Sequence, residues 1–437
     1  MRPQEVGLSS GTHSHGLKPA PTLRALAFSA LVLSFYPLPA INIGTNTSLP
    51  IYAAALAALL TMSAWKNAIN KYPAFWSISI YAPYLVSAAI FTASQPTAQF
   101  AICWKSHPSM ILAISGAYLG FTIADTGRNT LFRAVLLILA GHAVIGCAQH
   151  LGFPHGYFPF AFLFNANSFA IAQFYDRVMC LFPEPSVYTS SIGPLLVFGL
   201  HHLSRPGIAI STRERTIGLI LVVLHFYFTI AAKSGLSLLI IVFCFLVLLA
   251  NGLEAVRRRA KAYCFTILIV SLSALGILLV RFESIRERLQ RETQGVSSWA
   301  QRAETFQRGF DEFSKTPHSI FWGLGSNMSH KIIGNDFIVT DYGKVAYLGS
   351  INSITLTYIL ETGVLGLFVL VALGVKISQS VRHAPYPIEP LAFATILIFA
   401  CTFVNSYTAL ACVWVSLGLL LNWPALDRTT QLSPSNP

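Results

Sequence analysis

Long apolar segments recur along the whole of this chain, and such segments are stable only in a folded core or in a lipid bilayer. Of the 437 residues, 54% are apolar and only 11% are charged, and the mean hydropathy is +0.60. In so long a chain, these values indicate a protein that crosses a membrane several times.

The length of the apolar segments predicts helical membrane spans. A bilayer core about 30 Å thick takes about 20 apolar residues per helix. We therefore predict an all-α polytopic membrane protein with twelve transmembrane helices, at 25–43, 49–65, 75–93, 108–124, 134–151, 185–203, 217–232, 235–250, 262–280, 354–375, 391–404 and 409–423. The seventh, eighth, eleventh and twelfth are short, and they could be tilted pairs or partly re-entrant.

One hydrophilic stretch, 281–352, interrupts the apolar pattern and divides the chain. We predict a disordered tail at 1–24, nine helices within 25–280, a large and partly helical loop at 281–352, three helices within 353–424, and a second tail at 425–437. The large loop is the expected place for chemistry, because it is the only long hydrophilic part between spans.

The distribution of Lys and Arg predicts the orientation, since short cytoplasmic loops are rich in positive charge, whereas long loops cross the membrane largely regardless of their charge. With both termini in the cytoplasm, 17 of the 29 Lys and Arg residues lie on the inner side, and nine lie in the large loop. The short outer loops hold only Lys105, Arg177 and Lys233. The large loop is therefore expected to face outward.

Charge and cysteine content exclude several partners. The net charge of +12 follows largely from the cytoplasmic bias, so it does not call for a nucleic acid, and anionic membrane lipid is the expected partner of these residues. Most of the seven cysteines fall in predicted spans, and the twelve histidines show no ligand spacing typical of a metal site. We predict no bound metal and no cofactor.

The segment from Arg177 to Ser186 leads from an outer loop into a predicted span. Pro183 and Pro185 bracket Glu184, which therefore cannot lie inside a regular helix and is presented at a helix start together with Ser186. A carboxylate at the membrane edge is costly unless it is paired, and Arg177 lies seven residues upstream. Glu184 is either an interfacial ion-pair partner or an acid that catalyses a reaction or orients an acceptor.

Lys233 and Ser234 form a tight outer turn between two predicted spans. Lys233 either anchors the helix ends by reaching to the interface or contacts a phosphate there.

An amphipathic helix is predicted in the large loop, from a capping box at Ser298 to a stop at Thr316 and Pro317. Its apolar stripe is expected to pack on the mouth of the membrane domain. Arg302 lies next to that stripe and Arg308 to one side of it. A guanidinium group can donate two parallel hydrogen bonds to phosphate oxygens, so Arg302 is our first choice for binding a diphosphate. The apolar stripe is Trp299, Ala303, Phe306, Phe310 and Phe313.

Further polar residues lie before the tenth predicted span and within it. Gly323 and Gly325 make a tight turn, which is either structural or a phosphate cradle. Asn352 precedes the span, and Glu361 is an acid within its apolar sequence. Glu361 either meets a partner on another helix or belongs to a polar cavity below the large loop.

Four of these segments together resemble bacterial O-antigen and exopolysaccharide polymerases of the Wzy type, which share a superfamily with O-antigen ligases. They are FPEPS at 182–186, KSG at 233–235, GLGS at 323–326 and ETGVLG at 361–366. The resemblance covers 177–366. It implies a metal-independent glycosyltransferase of GT-C-like architecture that joins oligosaccharide units carried on undecaprenyl diphosphate, at the periplasmic face of the bacterial inner membrane.

The resemblance also implies roles for individual residues. Arg177 and Arg302 would bind the diphosphate, as outer-loop arginines are thought to do in such enzymes, and a flippase and chain-length or export proteins would be partners. Ligases of the superfamily carry a His close to the span that follows the large loop, whereas 350–353 reads SINS here, which favours a polymerase. The R-x10-G signature described for some polymerases is absent.

In the mechanism we expect, the diphosphate lies against Arg302 and Arg177 while a hydroxyl of the incoming unit attacks the anomeric carbon, with Glu184 as the base or acceptor positioner. An O-antigen ligase is the alternative within the same superfamily. The alternative of another class is a flippase or exporter of lipid-linked oligosaccharides. A flippase would need cations lining a path across the membrane, and the predicted spans are nearly free of charge.

Overall fold

A computed structural model describes residues 21–36, 71–94, 103–104, 107–155, 177–182, 185–205, 208, 210–232, 234, 236–257, 260, 264, 267–273, 276, 298–326, 328–329, 337–340, 343–346, 353–403 and 411–426. Within these residues the chain is almost entirely helical. Five helices are long and apolar enough to cross a membrane. The prediction of an α-helical membrane protein is thereby confirmed.

The elements follow one another along the chain, and two short strands form the one hairpin of the described residues. The helices are α1 Pro21–Ser34, α2 Lys71–Ser94, α3 His107–Ala124, α4 Arg128–Gly152, α5 Pro185–Ser204, α6 Thr212–Ala231, α7 Leu236–Arg257, α8 Ser298–Ser314, α9 Pro317–Trp322, α10 Ile354–Arg382, α11 Ile388–Phe403 and α12 Ala411–Leu421. Strands β1 (Phe337–Thr340) and β2 (Gly343–Ala346) are antiparallel and lie between α9 and α10.

Most predicted spans coincide with one helix, and the differences have a simple cause. Hydropathy marks the apolar part of a helix, whereas its backbone hydrogen bonds continue into the polar ends. Helix α4 therefore begins at Arg128 rather than at 134, and α10 continues to Arg382 rather than ending at 375. The spans predicted as short at 217–232 and 235–250 belong to regular helices of 20 and 22 residues. The span at 49–65 lies outside the described residues, and the one at 262–280 lies largely outside them.

Helix α5 forms the centre of the bundle. It packs against α4, α6, α7 and α11, and nearly all of its side chains are buried. A helix that is buried on every side is expected to be apolar all round, and the middle of α5, 192–200, has only apolar residues. This central position fixes both ends of α5 relative to the neighbouring helices.

Helices α3 and α12 pack with their backbones in contact. A Cβ atom on Gly120 would overlap the carbonyl of Val415, and one on Gly418 would overlap the carbonyl of Ala117. Small residues at such crossings allow the two backbones to touch, which favours helix association in lipid.

The bundle has two ends, which we name after residues that mark them. At the Arg128 end, the start of α4 meets the end of α5 and the start of α11, through Arg128, His201 and Glu389. At the Glu361 end, the last turn of α4 meets the segment before α5, and the start of α10 meets α2 and α9. Helices α4 and α5 therefore run from one end to the other.

The amphipathic helix α8 lies against the start of α10 at the Glu361 end. Phe306 and Phe313 pack on a small apolar cluster formed by Leu324, Leu356 and Leu360. Two residues of the predicted stripe thus pack on the protein, whereas Phe310 is exposed, and packing of the stripe on the mouth of a membrane domain stays a prediction. The predicted stop is also correct, because Thr316 caps the next helix, α9, and Pro317 begins it.

Candidate functional site

The centre of the candidate site is a break in helix α10. Gly363 has φ of 67°, a left-handed conformation inside a helix that is otherwise regular. The break releases carbonyl groups that the helix would otherwise satisfy, and in a membrane such groups need other donors. The backbone N–H of Leu324 donates to the carbonyl of Leu360 at 2.8 Å, and the Ser87 hydroxyl donates to the carbonyl of Glu361.

The glycine turn after α9 fits into this break. A Cβ atom on Gly323 would overlap the backbone of Glu361, and one on Gly363 would come within 2.5 Å of the Phe321 carbonyl oxygen. Gly323 and Gly325 also have positive φ values, 82° and 95°, which side chains disfavour. The GLGS and ETG segments, 38 residues apart between Gly323 and Glu361, therefore form a single structural unit.

Of the two interpretations of the glycine turn, the geometry favours a structural one. The N–H of Gly323 donates to the Ser319 carbonyl at 2.9 Å, and the N–H of Leu324 is used by the break in α10. These two donors already have partners within the protein. Gly323 and Gly325 therefore allow the turn to pack against the break in α10, and these N–H groups are not offered to a phosphate.

The Glu361 carboxylate lies beneath the turn and is only 2% exposed. Its Oε1 atom accepts a hydrogen bond of 2.6 Å from the Ser329 hydroxyl. Tyr84, on α2, is completely buried within electrostatic range of this carboxylate, and its hydroxyl makes no hydrogen bond to the described residues. The Tyr84 ring meets Tyr358 edge to face at 4.9 Å.

Cys103 and His107 extend this polar region beside α2. Burial, together with the charge of Glu361, raises the pKa of the Cys103 thiol to about 11, which indicates that the two groups are close. Four residues along the chain, His107 Nδ1 lies 2.7 Å from the Tyr81 hydroxyl, and the Trp104 ring stacks on the imidazole at 4.7 Å. The Nε2 atom of His107 is buried and makes no hydrogen bond within the described part of the chain.

This arrangement has the chemistry of a site for a neutral polar ligand. It combines one carboxylate, an imidazole nitrogen and a phenol with aromatic rings, and these groups can accept or donate hydrogen bonds and stack on a flat ligand face. Hydroxyl-rich molecules such as sugars can be bound by such groups. The Tyr84 and His107 atoms that lack partners among the described residues are buried, so a ligand that met them would offset a desolvation cost already incurred on folding.

A second part of the Glu361 end holds Arg177. The side-chain amide of Gln149, near the end of α4, holds the segment 177–182 by three hydrogen bonds. Its Nε2 donates to the Cys180 carbonyl at 2.9 Å, and its Oε1 accepts from the N–H groups of Met179 and Cys180 at 3.2 and 3.0 Å. Cys180 has φ of 51°, so the segment turns sharply there. Arg177 is half-buried at the start of this clamped segment.

Two predicted site residues, Ser186 and Ser234, come together in the same region. The Thr189 hydroxyl lies 2.9 Å from the carbonyl of Ser186 and 3.2 Å from the Ser234 hydroxyl. The FPEPS and KSG segments therefore adjoin, at the start of α5 and at the turn before α7. The hydroxyl of Tyr188, the residue before Thr189, forms a hydrogen bond with His225 Nδ1 at 2.7 Å and connects this region to α6.

The remaining predicted site residues have a more limited description. Glu184, Lys233 and Asn352 lie outside the described residues. Arg302 belongs to helix α8, but its side chain is not among those described, whereas the Arg308 side chain is half-buried on the same helix. The predicted meeting of Arg177, Arg302 and Glu184 in one pocket stays a prediction.

Sequence reasoning missed Tyr84, Ser87, His107, Ser329 and Gln149. Tyr84 and Ser87 lie three residues apart on one face of α2, a spacing that could have marked a polar stripe in an apolar span. Gln149 is an amide in the last turn of an apolar helix, where it needs a partner. No local pattern identifies Ser329, because its role depends on a contact across 32 residues.

Among the residues that the structure describes, no three His, Cys, Asp or Glu side chains are grouped so that they could hold a metal ion. Neither a protein-family model nor a curated protein matches this sequence significantly. Inferences about function therefore rest on the residues and on their geometry.

Proposed function

We propose that this protein is a membrane glycosyltransferase of the polysaccharide polymerase type. It would join oligosaccharide repeat units carried on undecaprenyl diphosphate, in O-antigen or exopolysaccharide synthesis. The observation that carries the proposal is the buried Glu361 carboxylate at the glycine-lined break in α10, within electrostatic range of Tyr84, whose hydroxyl has no hydrogen-bond partner among the described residues. Two of the segments that resemble the polymerases, GLGS and ETG, build this one unit.

The charge distribution supports an orientation for the proposed enzyme. Arg128, Arg133, Arg205 and Lys376 lie toward the Arg128 end of the bundle, and cytoplasmic ends of membrane proteins are rich in such residues. We infer that the Arg128 end faces the cytoplasm and that the Glu361 end and the large loop face the periplasm. With twelve spans, both termini are cytoplasmic, and the membrane is the bacterial inner membrane.

In the proposed reaction, a hydroxyl oxygen of the acceptor unit forms a bond to the anomeric carbon of the growing glycan. The bond from that carbon to the diphosphate oxygen breaks, and undecaprenyl diphosphate leaves. Arg177 and Arg302 stabilise the charge on the leaving group, since guanidinium groups stay ionised and pair with phosphate oxygens. Glu184 takes the hydroxyl proton, and Lys233, Ser234 and Arg308 make further phosphate contacts.

In this proposal, Glu361 acts on the sugar rather than on the diphosphate. A carboxylate accepts hydrogen bonds from sugar hydroxyls, and the neighbouring aromatic rings offer faces for stacking. Ser186 and Asn352 would make further hydrogen bonds to sugar hydroxyls. The charged side chains of the described residues are concentrated toward the two ends of the bundle, which argues for a reaction at one face over a cation-lined path for a flippase.

The direct test is polymerisation by the purified protein in detergent, where transport has no meaning. The substrate is a lipid-linked repeat unit, and the product is read as a ladder of chain lengths on a gel. We expect the wild type and Arg213→Gln, an exposed change at the Arg128 end, to give equal ladders. Arg177→Ala and Glu361→Gln should shorten them. A folded wild type that never extends the substrate would refute the proposal.

A further inference from the structure

The Arg128 end contains a buried cluster that the proposed reaction does not use. Arg128 and Glu389 form its centre, with two hydrogen bonds of 2.9 and 2.6 Å between guanidinium and carboxylate. Around this pair lie His201 and His202 at the end of α5 and Arg205 just beyond it. The cluster is defined by these five residues.

The cluster carries an excess of positive charge. Glu389 is its one carboxylate among the described residues, and both carboxylate oxygens already bond to Arg128. Arg205 is a second guanidinium, stacked on the Tyr386 ring with 3.2 Å between its central carbon and the ring centroid. Burial and then the charge of Arg128 lower the pKa of Arg205, as expected for a guanidinium that is partly buried beside another cation.

The cluster also has buried polar atoms that make no hydrogen bond to the described residues. The Nε and Nη1 atoms of Arg205 are buried, and neither makes a hydrogen bond to the described residues. His202 is completely buried between Phe132 and Phe198, and its two ring nitrogens likewise find no partner in the described part of the chain. Arg205 lies within electrostatic range of both histidines. Buried donors of this kind are rare unless a ligand or water meets them.

We propose that this cluster binds one phosphate group, held by the Arg205 guanidinium and by His202. A planar guanidinium offers two parallel donors to phosphate oxygens, and an imidazole N–H adds a third. The Arg205 side chain is half-buried, so the ligand can enter from the surface of the bundle end. A phosphodiester of an anionic lipid headgroup and free inorganic phosphate share this chemistry, and the experiment separates them.

The first experiment uses the wild-type chain in neutral detergent and needs no variant. Unfolding temperature is measured with phosphatidylglycerol, with a neutral diacylglycerol, with inorganic phosphate and with chloride as the ionic-strength control. Stabilisation by phosphatidylglycerol alone identifies a lipid headgroup, and stabilisation by inorganic phosphate as well identifies the free ion as sufficient. If neither phosphate compound stabilises the protein more than diacylglycerol or chloride, the proposal is wrong.

The second experiment locates the site. Phosphatidylglycerol retained by each purified variant is counted by native mass spectrometry. Arg205→Gln and His202→Phe should each weaken retention by about tenfold to a hundredfold, because hydrogen bonds to a charged group are lost. His202→Phe keeps an aromatic ring between Phe132 and Phe198, and Arg205→Lys should restore part of the binding. Arg213→Gln removes an exposed charge from the same end and should change nothing. Equal retention by the wild type and by both folded variants would overturn the assignment.

Discussion

Arg128 and Glu389 lie 261 residues apart in the sequence, yet they form a fully buried ion pair with two parallel hydrogen bonds. The pair joins the first turn of α4 to the first turn of α11 and lies beside the end of α5. It therefore fixes three helices of the bundle at one point. Neither residue stands out in the sequence, because each lies at the polar edge of an apolar segment.

The first prediction concerns the loss of one partner of this pair. Glu389→Gln leaves the Arg128 guanidinium buried and uncompensated, and removing one member of a buried pair costs about 3–5 kcal/mol. We expect a large fall in the unfolding temperature of the detergent-solubilised protein. The control is Glu214→Gln, which removes the exposed Arg133–Glu214 pair and should cost at most about 1 kcal/mol. Equal effects of the two substitutions would contradict the prediction.

The second prediction concerns the break in α10. Gly363 has φ of 67° and ψ of −151°, a backbone conformation that is essentially restricted to glycine. Gly363→Ala should therefore cost about 1–3 kcal/mol before the overlap of the new Cβ atom with the Phe321 carbonyl is counted. We expect lower stability and loss of polymerisation. Gly374, in the same helix, has open space around it, so Gly374→Ala should be neutral or stabilise by up to about 1 kcal/mol. Unfolding temperature and chain-length ladders are the measurements.

The third prediction concerns the carboxylate of Glu361. Glu361→Gln keeps an oxygen that can accept the Ser329 hydrogen bond, so the fold should survive. If the charge binds the substrate, its loss should lower kcat/KM for polymerisation by roughly 10- to 100-fold, the effect of losing a hydrogen bond to a charged group. Ser329→Ala leaves the charge and should have a smaller effect. A Glu361→Gln protein as active as the wild type would exclude this role.

The fourth prediction tests the proximity of Cys103 to Glu361. The pKa of the Cys103 thiol, about 11, is raised by burial and by the Glu361 charge. Glu361→Gln removes that charge, so the pKa falls and more thiolate forms at pH 9, by at most about tenfold if the shift stays within one unit. Reaction with methyl methanethiosulfonate should accelerate in a variant whose single cysteine is Cys103.

A matched single-cysteine variant with Cys180 provides the control for that experiment. Burial raises the pKa of Cys180 as well, but Glu361 is not among the charges that act on it. Its reaction rate should be the same with and without the Glu361→Gln substitution. A Cys103 rate that also stays unchanged would separate the thiol from the carboxylate.

The fifth prediction concerns the Gln149 clamp. Gln149→Leu removes the acceptor of the Met179 and Cys180 N–H groups and leaves them buried, which costs about 1–3 kcal/mol per group. The segment should open, so trypsin should cut after Arg177 faster than in the wild type. Gln379→Leu replaces an exposed glutamine and should leave the cleavage rate unchanged. Unaltered cleavage in Gln149→Leu would show that other contacts hold the segment.

Hydropathy predicts the helices well because lipid leaves the backbone no alternative to internal hydrogen bonds. Helices α2, α5 and α6 begin or end within a few residues of the spans expected from composition. The start of α8 and its stop before Pro317 also follow from local capping rules. These features depend on short stretches of sequence, which is why they are predictable.

The candidate site is less predictable because it depends on contacts between distant segments. The sequence marks Gly323, Gly325 and Glu361 separately, but no periodicity indicates that the turn fills the break at Gly363. The hydrogen bond from Ser87 to the Glu361 carbonyl joins residues 274 apart. Such pairs form only when the packing of α2, α9 and α10 is already fixed.

Because of the break at Gly363, the unfolding of the large loop is coupled to the unfolding of the membrane helices. Carbonyl oxygens that a continuous helix would cover are covered here by Leu324 and Ser87. If the segment around Leu324 detached by itself, the Leu360 carbonyl would lose its hydrogen bond in an apolar environment, at a cost of several kcal/mol. A cost of this size makes local unfolding of that segment alone unfavourable. The α8–α9 region and α10 should therefore lose their structure in one cooperative step.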